Sequence, residues 1–386
     1  MRTFEQTHPW FSFRWEPRRI PYPVWLLLGE CGALIRTIRQ AAVPHTAAKE
    51  IDRRALVRGL DALAAMEGNT LTEQQVADCL EGKLKLPPSQ RYLGQEVQNL
   101  QKAVRWTEDR LRAGDTQFSP WSLQLLNAQV LKELPWNEES APGDYRTGRR
   151  QGSAQPGAPA DDIGYLTERL CDWLKAERFY PEHAEEAEAF GLIRALLAQL
   201  YLIWIRPFTD GNVRTAWLVT GQLLLEAGMP PVAMHRSIAH TGQARNAWAR
   251  EIASAGSGHG DPIPFIAFMA RNLAEALREL AVEVEEEQQR IIHGGHLREL
   301  FGADRSANGA RRMKLMMALS GHHRPVPLGK LAHLSPELAG TYALLDRKTL
   351  LRDVHYLRGS GLLELKEDGL RPAEAPLRSF KAIIPG

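Results

Sequence analysis

Residues 206–217 read RPFTDGNVRTAW, and this stretch decides how the rest of the chain is read. It stands between two apolar segments with helical periodicity, expected at 184–205 and 212–227. A helix N-terminus leaves backbone N–H groups unpaired and carries partial positive charge, which together attract anions. Gly211 lets the backbone approach a phosphate closely because it has no Cβ. Asn212 offers a side-chain N–H, and Arg214 a guanidinium that grips phosphate oxygens in pairs. Asp210 suits a Mg²⁺ ligand, since Mg²⁺ carried on phosphates takes few protein carboxylates. A helix N-cap formed for purely local reasons uses the same Asp-Gly-Asn run. Spacing alone leaves both readings open.

The bulk numbers exclude more than they name. With 386 residues, 44% hydrophobic and 24% charged, the chain has room for two or three domains of ordinary soluble composition. Forty-eight basic side chains face forty-six acidic ones, so any basic surface must be local. Cys31, Cys79 and Cys171 lie far apart, which favours a reducing compartment and buried thiols over a disulfide framework or a metal cluster. His235, His240, His259, His293, His296, His322 and His323 lack a Cys or acidic partner at ligand spacing, so no metal centre is expected from them. The N-terminus has no continuous apolar core, and the apolar runs read as too short for a bilayer. The expected location is the cytoplasm, with no membrane contact.

Periodicity predicts a mainly helical chain. Residues 1–22, rich in Trp, Phe and Pro, are expected to form an ordered arm that packs its aromatics on the body. Helices follow from Tyr22 to about Ala42, stopped by Pro44, and from Ala47 to Met66, broken by Glu-Gly-Asn. Thr72 is a candidate N-cap, residues 91–113 return to helical spacing, and Ser119-Pro120 opens the next helix. Residues 137–164 hold most of the Gly and Pro of the middle region, and within them Tyr145–Arg150 is expected to form a short hairpin strand. Helices are expected again at 165–177 and at roughly 262–293. From Arg305 to Ser360 there are ten Lys or Arg and three acids, a local charge of +7. Helix, turn, longer helix, and a hairpin tipped by Asp-Gly follow one another there.

Pro207, Phe208, Asp210, Gly211, Asn212 and Arg214 match the loop H-P-F-x-D/E-G-N-G-R-x-x-R, and on these residues the chain resembles the Fic (Fido) family. Members transfer AMP, or another phosphate-containing group, from a nucleotide onto a protein hydroxyl. The resemblance extends over roughly residues 50–230. Residues 143–147 (GDYRT) are similar to the start of the family's target-docking flap, which gives Tyr145 and Arg146 that role. The run AAMEGNTLTEQQV is similar to the inhibitory segment some members carry, and makes Glu67 the glutamate that reaches into the nucleotide site. The segment normally has Ser or Thr four residues earlier, where this chain has Leu63. The C-terminal module resembles a winged helix-turn-helix, with Arg347, Lys348, Arg352, His355 and Arg358 on a candidate DNA-recognition helix and Leu350, Leu351, Val354 and Leu357 facing inward. Winged helices also serve as dimerisation and protein-docking modules.

Three positions depart from the family loop: Arg206 stands for the His, Val213 for the second Gly, and Trp217 for the last Arg. A general base is worth about 10²–10⁴ in rate and works best near ambient pH. Arginine at pH 7 is neutral only to the order of 10⁻⁵, so Arg206 cannot act as that base. Trp217 removes the residue that the resemblance assigns to the distal phosphate and to pairing with the inhibitory glutamate. Arg206 is the expected replacement partner of Glu67, or else a phosphate clamp.

The combined expectation is a bacterial-type Fic-like helical core with a small β-hairpin flap and a C-terminal winged helix-turn-helix. Its divisions are 1–110, 111–295 and 305–386. The expected function is a catalytically impaired nucleotide- or phosphate-binding, or docking, core coupled to DNA binding. The alternative is AMP transfer or AMP removal by a modified mechanism. The expected ligands are Mg²⁺ on Asp210 and ATP or another nucleotide on Gly211, Asn212 and Arg214. The expected partners are a protein target, DNA, and a second copy of the chain.

Overall fold

The apolar spacing seen in the sequence becomes helix along most of the chain in a computed structural model, which describes residues 2–135, 141–148, 157–257, 260–302, 304, 306–322 and 324–373. Two compact units emerge, Met1–Val282 and Glu283–Gly386.

The first unit is built from α1 (Thr3–Thr7), α2 (Tyr22–Gln40), α3 (His45–Ala65), α4 (Glu73–Leu80), α5 (Arg91–Arg112), α6 (Pro120–Val130), α7 (Ile163–Leu174), α8 (Ala187–Ile205), α9 (Asn212–Glu226), α10 (Pro231–Gln243), α11 (Arg245–Ser257) and the first part of α12 (Ile263–Gly302). Helix α8 is the core element. From Leu192 onward every side chain but one is buried, Arg194 being the exception. It packs on α2, α7, α9 and α11. The helical stretch Ala184–Ile205 is long and apolar enough to span a bilayer, which corrects the expectation that it is too short. Its most apolar window is 72% buried, as befits a central helix packed on all sides.

The arm packs its aromatics on this core. Phe4, Phe11, Phe13, Trp15 and Ile20 are buried. The Phe13 ring lies 4.8 Å from that of Tyr201, whose hydroxyl accepts the Phe13 N–H at 3.0 Å. Thr72 caps α4 by accepting from the Gln75 N–H, and Ser119 caps α6 in the same way with Pro120 at the first helical position.

Helices α10 and α11 have no counterpart among the expected elements. Helix α10 lies along α3 at close range because two glycines remove side chains from the crossing. A Cβ on Gly59 would meet His235 at 3.1 Å, and one on Gly242 would meet Ala62 at 2.6 Å. Small residues share this contact with Met234 and Ile238, which leaves α10 only a short apolar stripe.

In the second unit α13 (Ala307–Ser320) is followed by an isolated bridge from Val326 to Leu370. Then come α14 (Pro336–Ala343), α15 (Arg347–Gly359) and an antiparallel hairpin of β1 (Leu363–Lys366) and β2 (Gly369–Pro372). The hairpin pairs Lys366 with Gly369, so Glu367 and Asp368 form its tip. Its core gathers Leu297, Phe301, Leu315, Leu331, Leu357 and neighbours.

One inward position on α15 is Asp353, wholly buried. Its oxygens accept from Arg311 at 2.6 and 3.1 Å, from Arg312 at 2.9 Å and from the Tyr342 hydroxyl at 3.0 Å. Leu351 is exposed, contrary to the inward assignment, because the helix turns Asp353 and Val354 toward the core instead. Removing the carboxylate strands two cations in one place. Asp353→Ala should therefore cost about 3 kcal/mol or more, seen as a lowered urea midpoint in the full chain.

Candidate active site

Helix α8 ends at Arg206, which takes a left-handed conformation (φ 46°, ψ 67°) while its N–H still donates to Leu202. That conformation costs a non-glycine residue roughly 1 kcal/mol or more, and it turns the chain sharply into Pro207. Gly211 is left-handed too (φ 71°) and opens α9. Between these turns the loop is tied to itself. Asn212 is buried; its Oδ1 accepts the Phe208 N–H at 3.0 Å and its Nδ2 donates to the Phe208 carbonyl at 2.7 Å. The Asn212 amide, expected to donate to phosphate, is thus spent on holding the loop.

A second asparagine completes the loop's frame. Asn127 on α6 donates to the Asp210 carbonyl at 2.9 Å and to the Thr215 hydroxyl at 3.3 Å, and accepts the Gly143 N–H at 3.0 Å. A Cβ on Gly211 would come within 3.0 Å of the Asn127 amide nitrogen. Gly211 therefore serves close packing against α6 as well as the turn. In the sequence Asn127 is one of several polar residues on α6, and nothing in the pattern singles it out.

The donors at the start of α9 are occupied by Glu67. Its Oε1 accepts the Val213 N–H at 3.3 Å, and its Oε2 pairs with Arg214 Nε. The partner of Glu67 is thus Arg214, not Arg206. The turn after α3 carries Glu67 to the N-terminus of α9, where the amides and the guanidinium converge. A second carboxylate, Glu96 on α5, pairs with Arg214 Nη1, and Asp210 Oδ1 stands 3.4 Å from Nη2. Asp210 Oδ1 also accepts its neighbour Gly211's N–H at 2.6 Å, and the side chain stays half exposed.

The Arg214 guanidinium is buried, and burial alone would weaken its hold on its proton. Glu67, then Glu96 and Asp210, outweigh that and hold its pKa above the ordinary value. Burial pushes the Glu96 carboxyl above the usual range; Arg214 and Asn69 oppose this, while Glu67 and Asp210 add to it. Glu96 was no candidate from sequence, because its partner lies 118 positions away.

Of the other substitutions, Trp217 faces away from the cradle. It is buried and lines a small cavity with Leu60, Leu63, Leu218 and Ile238, with its ring 6.2 Å from that of Trp248. Leu63, standing where the inhibitory segment usually has a hydroxyl, lines the same space. Val213 lends its amide to Glu67. Arg206 Nε donates to the Ile203 carbonyl at 3.3 Å.

Tyr145 and Arg146 turn inward. Arg146 donates through Nε to the Arg206 carbonyl at 2.7 Å, through Nη1 to Gly148 at 2.8 Å, and through Nη2 to Ala158. Its backbone N–H donates to Pro207 at 3.0 Å. A cation at the carbonyl end of a helix is favourable, so Arg146 closes the end of α8 and has no amide left for a docked strand. The Tyr145 hydroxyl bonds to Thr167 at 3.1 Å. Residues 141–148 form turns and bends rather than strand, and 149–156 lie outside the described residues.

The thiols are buried, with Cys31 and Cys171 pushed up to about 12 by burial, so they are poor nucleophiles. On α15, Lys348, Arg352, His355 and Arg358 are exposed; the Arg347 side chain lies outside the described residues.

Residues 117–224 match the Fic/DOC family model. Among curated proteins the chain is similar to protein adenylyltransferase Fic of Nematostella vectensis, 29% identical over 207 residues, covering 54% of this chain and 44% of that one. It is also similar to protein adenylyltransferase Fic of Culex quinquefasciatus, 27% identical over 223 residues, covering 58% and 41%. The match thus spans less than half the length of these relatives. Among solved structures, a Fic family protein from Desulfovibrio desulfuricans G20 aligns with a TM-score of 0.55 at 21% identity, over 95% of this chain and 100% of that one. Fic-1 from C. elegans gives 0.56 at 22% identity, over 68% and 73%. At these identities the structural likeness speaks for the mostly helical fold alone.

The packing around Trp217 has a testable consequence. Reinstating the family's arginine there would bury a cation against Leu60, Leu63 and Ile238 in place of an indole. Trp217→Arg is expected to lose about 3 kcal/mol or more of stability, measured by denaturant unfolding, rather than to restore a phosphate contact.

Proposed function

Because the chain carries a Fic/DOC domain at residues 117–224, we propose that its first unit is a nucleotide-binding core of the adenylyltransferase type, shut by Glu67 and slowed by the lack of a base at position 206. The observation that carries this is the Glu67 carboxylate on the Val213 N–H and Arg214 Nε. Two donors at a helix N-terminus that hold a carboxylate can equally hold phosphate oxygens. A nucleotide must displace Glu67 to reach them.

Asp210 fits the metal role, since its carboxylate is half exposed beside the same donors. Among the described residues no group of three or more His, Cys, Asp or Glu could hold a metal by itself, which suits Mg²⁺ arriving on phosphates rather than in a protein cage. Bound there, Mg²⁺ would neutralise phosphate charge. The protein's own part is to orient the phosphates through Arg214 and the α9 amides. In the transfer, a target hydroxyl oxygen bonds to the α-phosphorus, the bond to pyrophosphate breaks, and the hydroxyl proton leaves. Arg206 stays protonated at neutral pH, so that proton goes to water, without the roughly 10²–10⁴ rate gain of a positioned base. We propose that it works in the cytoplasm, a reading supported by three buried free thiols.

The test uses labelled ATP with Mg²⁺ on the wild type, Glu67→Gly, Arg206→His and the double variant, with label on protein as the readout. The expected order is no label on the wild type or Arg206→His, weak label with Glu67→Gly, and about 10²–10⁴ faster labelling with the double variant. Wild-type labelling as fast as the double variant's would refute both the closure and the missing base. No heat on titrating ATP·Mg²⁺ into Glu67→Gly would remove the nucleotide from the reading.

A second reading concerns the second unit, which we propose binds DNA as a winged helix-turn-helix. It is supported by exposed Lys348, Arg352, His355 and Arg358 on one helix, followed by a hairpin. The local charge of +7 already counts Asp353, which takes Arg311 and Arg312, and Glu337, which pairs with Lys314 at 2.7 Å. Affinity for duplex DNA should fall steeply with salt. Arg352→Ala with Arg358→Ala should lower the log–log slope by about 2. Absence of binding at low salt would refute it.

A further inference from the structure

A buried guanidinium needs a counter-charge in every state the protein visits. Arg214 is buried, and the proposed function requires Glu67 to leave it. Asp210 is a weak substitute, half exposed and 3.4 Å from Nη2. Glu96 differs from both. Its side chain is 8% exposed, it sits on the packed helix α5, and it grips Nη1, the nitrogen Glu67 does not use. Its other oxygen accepts from Asn69 Nδ2 at 2.8 Å. Asn69 is in turn fixed by the Leu93 carbonyl at 3.0 Å and the Leu71 N–H at 3.0 Å. Glu96 is thus held at both oxygens, by Arg214 and by Asn69, and neither bond passes through the Glu67 carboxylate.

We infer that Glu96 is a positioning residue for the anion cradle. By holding Nη1 it keeps Nε of Arg214 aimed at the N-terminus of α9, whether Glu67 or a phosphate group sits there. Its action runs through Arg214; it does not itself touch the nucleotide. The inference rests on the proposed nucleotide site, but the position of Arg214 can be read without any nucleotide.

The experiment compares Glu67→Gly, Glu67→Gly/Glu96→Gln and Glu67→Gly/Glu96→Ala in the full chain. Calorimetry with ATP·Mg²⁺ reads affinity, and the Arg214 Nε–H signal, assigned by its loss in Arg214→Lys, reads the guanidinium directly by NMR. Glutamine keeps an oxygen for Nη1, so affinity should stay within about threefold and the signal should remain protected from exchange. Alanine removes the acceptor, so affinity should drop about tenfold or more and the protected signal should disappear, with helical content by circular dichroism unchanged. If the alanine variant does not fold, Glu96→Met, which fills the same length, takes its place. An alanine or methionine variant that binds ATP as tightly as Glu67→Gly and keeps the signal overturns the inference. If Glu67→Gly itself binds no ATP, the functional reading fails, and the NMR signal alone still decides the role of Glu96.

Discussion

The first unit turns on one buried cation. Arg214 sits near the start of α9 with its guanidinium out of water, and a charge so placed is tolerable only with partners that are themselves fixed. Those partners come from three directions: the turn after α3 supplies Glu67, helix α5 supplies Glu96, and the loop itself supplies Asp210. Satisfying Arg214 therefore brings α3, α5 and α9 together at one point. It also sets the chemistry of the site. Three carboxylates around one arginine make a cluster that repels a polyphosphate until one of them withdraws. Glu67 is the one on a turn between helices, bound to the cradle through its carboxylate.

The loop preceding α9 does not rely on a ligand for its shape. Asn212 and Asn127 bond its backbone from inside, Gly211 supplies the left-handed turn with room for Asn127, and Arg146 closes the carbonyl end of α8. Residues whose type suggests phosphate or target contact thus divide into two groups. Asn212 and Arg146 are structural. Arg214, though buried, and the Val213 amide remain the donors that an anion meets at the helix end. A loop already rigid loses little entropy on binding, so affinity is governed by the competition with Glu67 rather than by ordering the loop.

What the sequence made legible follows the range of the interaction. The helices with a clear apolar stripe, the caps at Thr72 and Ser119, and the arm's aromatic packing rest on local patterns or on bulk hydrophobicity. The closeness of Glu67 to the loop comes from the resemblance to a family; its expected partner, Arg206, fills in for the family's last arginine, whereas the structure gives that role to Arg214, which the motif keeps. Glu96 and Asn127 act on residues 118 and 83 positions away, and no spacing rule reaches so far. Helix α10 was invisible for another reason: Gly59 and Gly242 fit it to α3 by the absence of side chains. Leu351 illustrates the limit of an apolar-in rule, since the buried place on α15 belongs to a carboxylate bound to two arginines.

The two departures from the family loop that bear on catalysis are physically unlike. Arg206 lies at the last turn of α8, partly exposed, in a backbone conformation set by the helix end and not by its side chain. Trp217 shares its cavity with Leu63, so two positions that are polar in the family are apolar here and face one another across α3 and α9. Close packing makes such a pair interdependent, since a change of volume or polarity at one is felt at the other. The missing base is thus a change at one residue, whereas the missing arginine is built into the packing that supports the Glu67 turn. Any phosphate chemistry left to this site must work through Arg214 and the α9 amides, and Arg214 is the residue that Glu67 and Glu96 already share.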